Sequence, residues 1–174
     1  MKKKTEKYLN VLIDKLTNSI ENTLSGEVFD TEISLLTEKE VKLIKQKDWH
    51  FNWKSEFKDS TKKLFKLTTT NNPTIIQGLL SIEDKGDHIF MHLVESAKFN
   101  LGKNKLYYGV PGNLIAYACK ISFDRSYDGY VAFDSKTVLI EHYQKTLGAS
   151  HIGGRRMYID TKAAGKLVSQ YFKT

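Results

Sequence analysis

The chain has 174 residues, 40% of them hydrophobic and 27% charged, with a formal charge of +7 and a pI near 9.3. This is the composition of one ordinary globular domain long enough to bury a core. It excludes a membrane-spanning chain, since no apolar run approaches the roughly 18 residues a bilayer requires.

A single cysteine, Cys119, excludes an internal disulfide and a cysteine-based zinc site, and five dispersed histidines lack ligand spacing, so no metal is expected. The basic start MKKKTEKYLN precedes neither an apolar stretch nor a cleavage site, so a cytoplasmic location and no membrane contact are expected. Much of the positive charge is local: Lys2 to Lys4, then Lys54, Lys58, Lys62, Lys63 and Lys66. Such lysines read as a solvated surface rather than a nucleic-acid groove, and their field would also suit a polyanionic ligand.

Tyr8, Leu9, Leu12, Ile13, Leu16, Ile20 and Leu24 recur at helical spacing, which predicts an amphipathic helix from about Thr5 to Leu24, closed by Ser25-Gly26. Val28–Leu36 reads as part strand and part loop. Thr37 and Glu40 form a capping box ahead of a short helix. The aromatics Trp49, Phe51, Trp53 and Phe57 read either as core plugs or as walls of an acceptor pocket.

From Lys63 the pattern changes to strands. Leu64–Thr70, Thr74–Ile82 and His88–Glu95 are joined by an Asn-Asn-Pro turn and by EDKGD, which describes an antiparallel meander. YYGVPGNL then opens a helix from about Asn113, which Gly129 stops; glycines at a helix start leave backbone N–H groups open to an anion. Tyr130–Phe133 is a short strand and Lys136–Leu147 a second helix. His151–Asp160 is a final strand or hairpin arm with Gly153-Gly154 as a bend, and Thr161 caps a last helix to Tyr171.

The loop–helix–strand–helix unit from Tyr107 to Ala149 resembles the acyl-CoA-binding half of the GNAT (Gcn5-related N-acetyltransferase) superfamily. LIEHYQKTLGA is similar to that family's segment with a tyrosine shortly before a glycine. The resemblance spans about Leu64 to Asp160. It implies an α+β, α/β/α layered fold, with a mostly antiparallel splayed sheet flanked by helices. One domain covers residues 1–174: residues 1–60 are an N-terminal helical and aromatic-rich part on the acceptor side, and residues 61–174 are the sheet and the acyl-CoA half.

What the resemblance implies for function is direct transfer of an acetyl group from acetyl-CoA to a primary amine in a ternary complex. The acceptor is a small molecule, a protein or an RNA, and a homodimer is open to it. Tyr143 is then the acid for the leaving thiolate, and Glu95, at the end of its strand, deprotonates the amine through water. His92, three residues before Glu95, faces the other way unless a bulge intervenes. Gly109, Val110, Gly112, Asn113 and Leu114 would hold the pyrophosphate, and Asn100 the pantetheine arm. Two departures stand out: Gly109 and Gly112 have two residues between them where the family has one, and Tyr107 stands where it has Arg or Gln. Pro111 also lacks an N–H. The rival reading is a non-catalytic GNAT-like module that binds acyl-CoA or a protein or RNA partner. Cys119, in mid-helix with no charge pattern around it, reads as a buried structural thiol.

Overall fold

A computed structural model describes residues 6–15 and 19–172. The strands are β1 (Ser19–Asn22), β2 (Val28–Leu35), β3 (Lys62–Thr69), β4 (Gly78–Asp84), β5 (Ile89–Ser96), β6 (Tyr107–Tyr108), β7 (Val131–Asp134), β8 (Ser150–Gly153) and β9 (Arg156–Ile159). The helices are α1 (Glu38–Leu43), α2 (Trp53–Lys58), α3 (Val110–Asp124), α4 (Ile140–Leu147) and α5 (Thr161–Tyr171). The strands form one sheet in the order β6-β1-β2-β3-β4-β5-β7-β9-β8. β3 to β5 are the expected antiparallel meander, to which β2 adds a further antiparallel strand, and among the named strands of the described residues β5 and β7 pair in parallel.

Alternation along the strands divides the core in two. Phe65, Leu67, Leu80, Ile82, Ile89 and Met91 enter a large cluster with α3, α4 and α5. Leu64, Leu79 and Leu93 enter a smaller one with Val41, Trp49, Phe51 and Trp53. The aromatics of residues 49–53 are therefore core, and they cover the second face of the sheet.

In β5 the alternation breaks. Met91 pairs with Ile82 and Leu93 with Ser81, so His92 is an extra residue, a β-bulge. The bulge turns Leu93 and Glu95 toward the smaller core, while Val94 returns to the larger one. It also ends the pairing with β7, which covers only Ile89↔Val131 to Met91↔Phe133. Beyond Met91 the two strands part.

Several expectations change. The helix predicted over Thr5–Leu24 does not form: residues 6–15 are extended and Ser19–Asn22 is β1, while residues 1–5 and 16–18 lie outside the described part. Leu9, Val11 and Ile13 are buried and the residues between them face outward, a period of two. Leu9 donates its N–H to the Asp134 carbonyl at 2.7 Å and accepts from the Lys136 N–H at 2.9 Å, a parallel bridge at the end of β7. An isolated helix of this length is marginal in water, whereas an open strand edge offers the same segment fixed partners. The N-terminal helical extension is thus reduced to α1 and α2, of six residues each. The strand expected from Thr74 starts at Gly78, and a 3₁₀ turn at Thr137–Leu139 precedes α4. Helix α3 starts at Val110, three residues before the expected Asn113, because a proline costs nothing in a helix's first turn.

Candidate active site

The parting of β5 from β7 opens a gap that the N-terminal segment enters. From its bridge to Ser135 the segment runs past α4 toward the start of α3. A cleft of about 350 Å³ separates it from the end of β5, with Val11, Asp14, His50, Glu95, Ser96 and Pro111 among its walls.

Tyr143 stands at one end of this path. It is fully buried in α4, edge-on to Phe133 at 5.6 Å between ring centroids, and its hydroxyl donates to the Val11 carbonyl at 2.6 Å. Burial pushes its hydroxyl above the ordinary tyrosine range. Next to it, the Ile13 N–H donates to Nε2 of His142 at 2.8 Å.

The Gly109 turn stands at the other end. Gly109 caps α3 in the left-handed region at φ 102°, where a Cβ would come within 2.8 Å of the Ser19 carbonyl. Its N–H donates to Oδ1 of Asp14 at 2.9 Å, and Lys105 reaches the other oxygen of Asp14 at 2.8 Å. Gly112 lies under the Tyr171 hydroxyl: a Cβ there would be 2.0 Å from that oxygen, which itself donates to the Lys15 carbonyl. At both glycines another segment of the chain approaches the backbone closely.

The remaining site candidates have other partners. The Asn113 N–H bonds to the Gly109 carbonyl within α3, and its side chain ties Ser19 and Thr31 to the helix. Val110 and Leu114 are fully buried against the sheet, so only their backbone can face a ligand. Asn100 is buried, donates to Gln77 and accepts from the Tyr107 N–H, which fixes the loop before α3. Three donors converge on the buried Glu95 carboxylate: His50 N at 2.6 Å, Phe51 N at 3.1 Å and Trp53 Nε1 at 2.8 Å. Glu95 pins the aromatic segment to β5 beside the cleft. The bulge falls at His92 itself, yet the two side chains do not meet, since His92 Nε2 lies 2.8 Å from Glu83.

Sequence reasoning missed Asp14, Tyr171, His142 and the Val11 carbonyl. For Val11 the advance signal is the alternation Leu9, Val11, Ile13, which the helical spacing overlaps. Arg155 pairs with Glu6 and Arg156 with Asp134, so each is already engaged. Cys119 is fully buried and its thiol is pushed up to about 12 by burial, as expected of a structural thiol. Among the described residues there is no group of three or more potential metal ligands, and no helix is long and apolar enough to cross a membrane.

No protein-family model and no curated protein matches the sequence. Solved structures do match the fold. One is a mutant AtaT toxin bound to the C-terminus of the antitoxin AtaR, with 14% identity, 81% of this chain and 99% of that chain covered, and a TM-score of 0.57. The same complex with acetyl-CoA matches at 16% identity, 81% and 99% coverage and a TM-score of 0.54. A mutant of the spermidine N-acetyltransferase SpeG from Vibrio cholerae matches at 14% identity, 77% and 95% coverage and a TM-score of 0.52. At such identities the likeness is one of fold, and the fold is that of the GNAT acyltransferases, a curled mixed sheet flanked by helices.

Proposed function

We propose that the chain is an acetyl-CoA-dependent N-acetyltransferase acting on a primary amine. The observation that carries this reading is the gap between β5 and β7, with the Tyr143 hydroxyl at one end and the glycine turn of Gly109 and Gly112 at the other. Neighbours in fold include an acetyl-CoA complex and a spermidine N-acetyltransferase, which supports the same ligand here.

The residues fit such a ligand. The first-turn N–H groups of α3 carry the positive end of the helix dipole, where a pyrophosphate is favoured, and the Gly109 N–H beside them already holds a carboxylate. Lys105 stands beside that turn as a countercharge. The backbone of Leu93–Ser96, which β7 leaves unpaired, offers N–H and C=O groups to an amide-bearing arm, as an edge strand does. Acetyl-CoA supplies the activated acyl group. An amine in the cleft beside Glu95 attacks the acyl carbon, and a backbone N–H of the parted strand polarises the carbonyl. Tyr143 donates its phenolic proton to the departing thiolate. With its oxygens committed to His50, Phe51 and Trp53, Glu95 holds the cleft wall and supplies negative charge that attracts a cationic amine; a water removes the proton. The cytoplasm suits this chemistry, and the acceptor class stays a primary amine on a small molecule, protein or RNA.

A second reading, a GNAT-like module without catalysis, is favoured by one observation: the chain's own Asp14 and Val11 already hold the Gly109 N–H and the Tyr143 hydroxyl. Calorimetric titration with acetyl-CoA, followed by thiol release with a panel of amines, separates the two. Saturable 1:1 binding with amine-dependent thiol release supports the enzyme. Binding without release supports the module, and no binding at millimolar ligand overturns both acyl-CoA readings.

A further inference from the structure

We propose that the segment Leu9–Lys15 is a built-in occupant of the acyl-CoA channel, which the ligand must displace before the site works. This rests on the acyl-CoA reading above and adds its regulation.

The segment follows the path that reading assigns to the ligand. It begins at the end of β7, where Leu9 bridges Ser135. It passes Tyr143, which gives its hydroxyl proton to the Val11 carbonyl in place of a thioester sulfur. It ends with a carboxylate on the Gly109 N–H at the start of α3, where helix geometry favours an anion. An extended chain advances about 3.3 Å per residue, so Val11 and Asp14 are roughly 10 Å apart along the path. The peptide thus reproduces an amide-bearing arm with a negative group at its far end.

The hold is built along its whole length. Leu9, Val11 and Ile13 are buried at 0, 6 and 7% exposure, and Lys7 reaches Glu56 at 2.8 Å. Ile13 N–H is held by His142, Asp14 by Gly109 and Lys105, and the Lys15 carbonyl by Tyr171. Two of these partners change role on displacement: Lys105 loses its carboxylate and faces the incoming phosphates, and Tyr143 loses the Val11 carbonyl and faces the acyl group. A cofactor that binds only the open form shows its intrinsic affinity multiplied by the open fraction, so the closed segment weakens apparent binding. Anything that draws the N-terminal segment away therefore activates the chain.

The test uses the full chain with acetyl-CoA and two variants. Asp14→Ala removes the anion from the turn and lies outside the hydrophobic core. Leu9→Ala loosens the opposite end, far from the phosphate position, without changing charge. Calorimetry is expected to give acetyl-CoA affinity about tenfold tighter in each variant, about 1.4 kcal/mol by the tenfold relation. In saturating acetyl-CoA, wild-type amides of Leu9 and Ile13 are expected to lose hydrogen-exchange protection, and trypsin to cut faster after Lys15. Binding with Leu9 and Ile13 still protected overturns the displacement and leaves acyl-CoA binding standing. Equal affinity in wild type and Leu9→Ala also overturns it, since removing repulsion alone would help only Asp14→Ala. No binding by any of the three overturns the acyl-CoA reading and displacement together.

Discussion

Glu95→Gln tests whether the carboxylate beside the cleft is held for structure. Glu95 is 6% exposed and accepts from His50 N, Phe51 N and Trp53 Nε1. An amide keeps one oxygen for these donors and turns an NH₂ toward at least one of them. One buried N–H then loses its acceptor, at about 1–3 kcal/mol, and the surviving bonds lose their charge assistance, so the loss totals roughly 2–4 kcal/mol. For a domain of this size about 2–4 °C of Tm follows each kcal/mol, so the Tm read by circular dichroism is expected to fall by about 4–16 °C. Trp53 fluorescence is expected to shift with the same loss of order. A Tm within about 2 °C of wild type would refute the pinning role. The pH profile adds a second readout: a positioning residue leaves its shape unchanged, whereas loss of the acidic limb would make Glu95 the base.

Three further outcomes follow from the geometry. Tyr143→Phe is expected to slow acetyl transfer by about 10²–10⁴-fold, the range of a general acid. It is also expected to leave acetyl-CoA affinity no weaker, because it frees Val11; an unchanged rate removes Tyr143 from the chemistry. Cys119 is expected to resist thiol reagents in the folded protein and to react fully in denaturant, given its burial and a thiol pushed up to about 12; fast labelling of the native chain would contradict the packing. For Glu56, burial alone would raise the carboxyl, but bonds from Lys7, Lys62 and Ser81 outweigh it and hold it below the usual range. A depressed carboxyl stabilises the fold above its ordinary range and loses that contribution as pH falls through its folded value. Glu56→Gln is therefore expected to lower stability at neutral pH and to flatten the acid side of the stability curve, as read by urea unfolding across pH. Parallel curves would contradict the linkage.

The meander, the capping box at Thr37 and the last helix were legible because each has a local cause: alternation, a reciprocal cap, or an N-cap carboxylate. Asp160 rather than Thr161 supplies that last cap, accepting from the Ala163 N–H. The N-terminal segment was misread because Leu9, Val11, Leu12, Ile13 and Leu16 satisfy both a 3.6 and a 2 period, and only the open edge beyond β7 decides between them. The bulge at His92 entered the sequence reading only as a condition, since β5 carries apolar residues on both faces and a slip of phase exchanges one apolar set for the other. Tyr143 and the Gly109 turn are marked in the sequence by motif position alone. Asp14, which meets that turn from 95 residues away, has no local mark at all.

The central claim is tested most directly by thiol release from acetyl-CoA in the presence of an added primary amine, with the wild-type chain and Asp14→Ala side by side. The expected result is amine-dependent release in both, with the variant saturating at a lower acetyl-CoA concentration. Release that does not depend on amine, or none from either protein at millimolar acetyl-CoA, would contradict it.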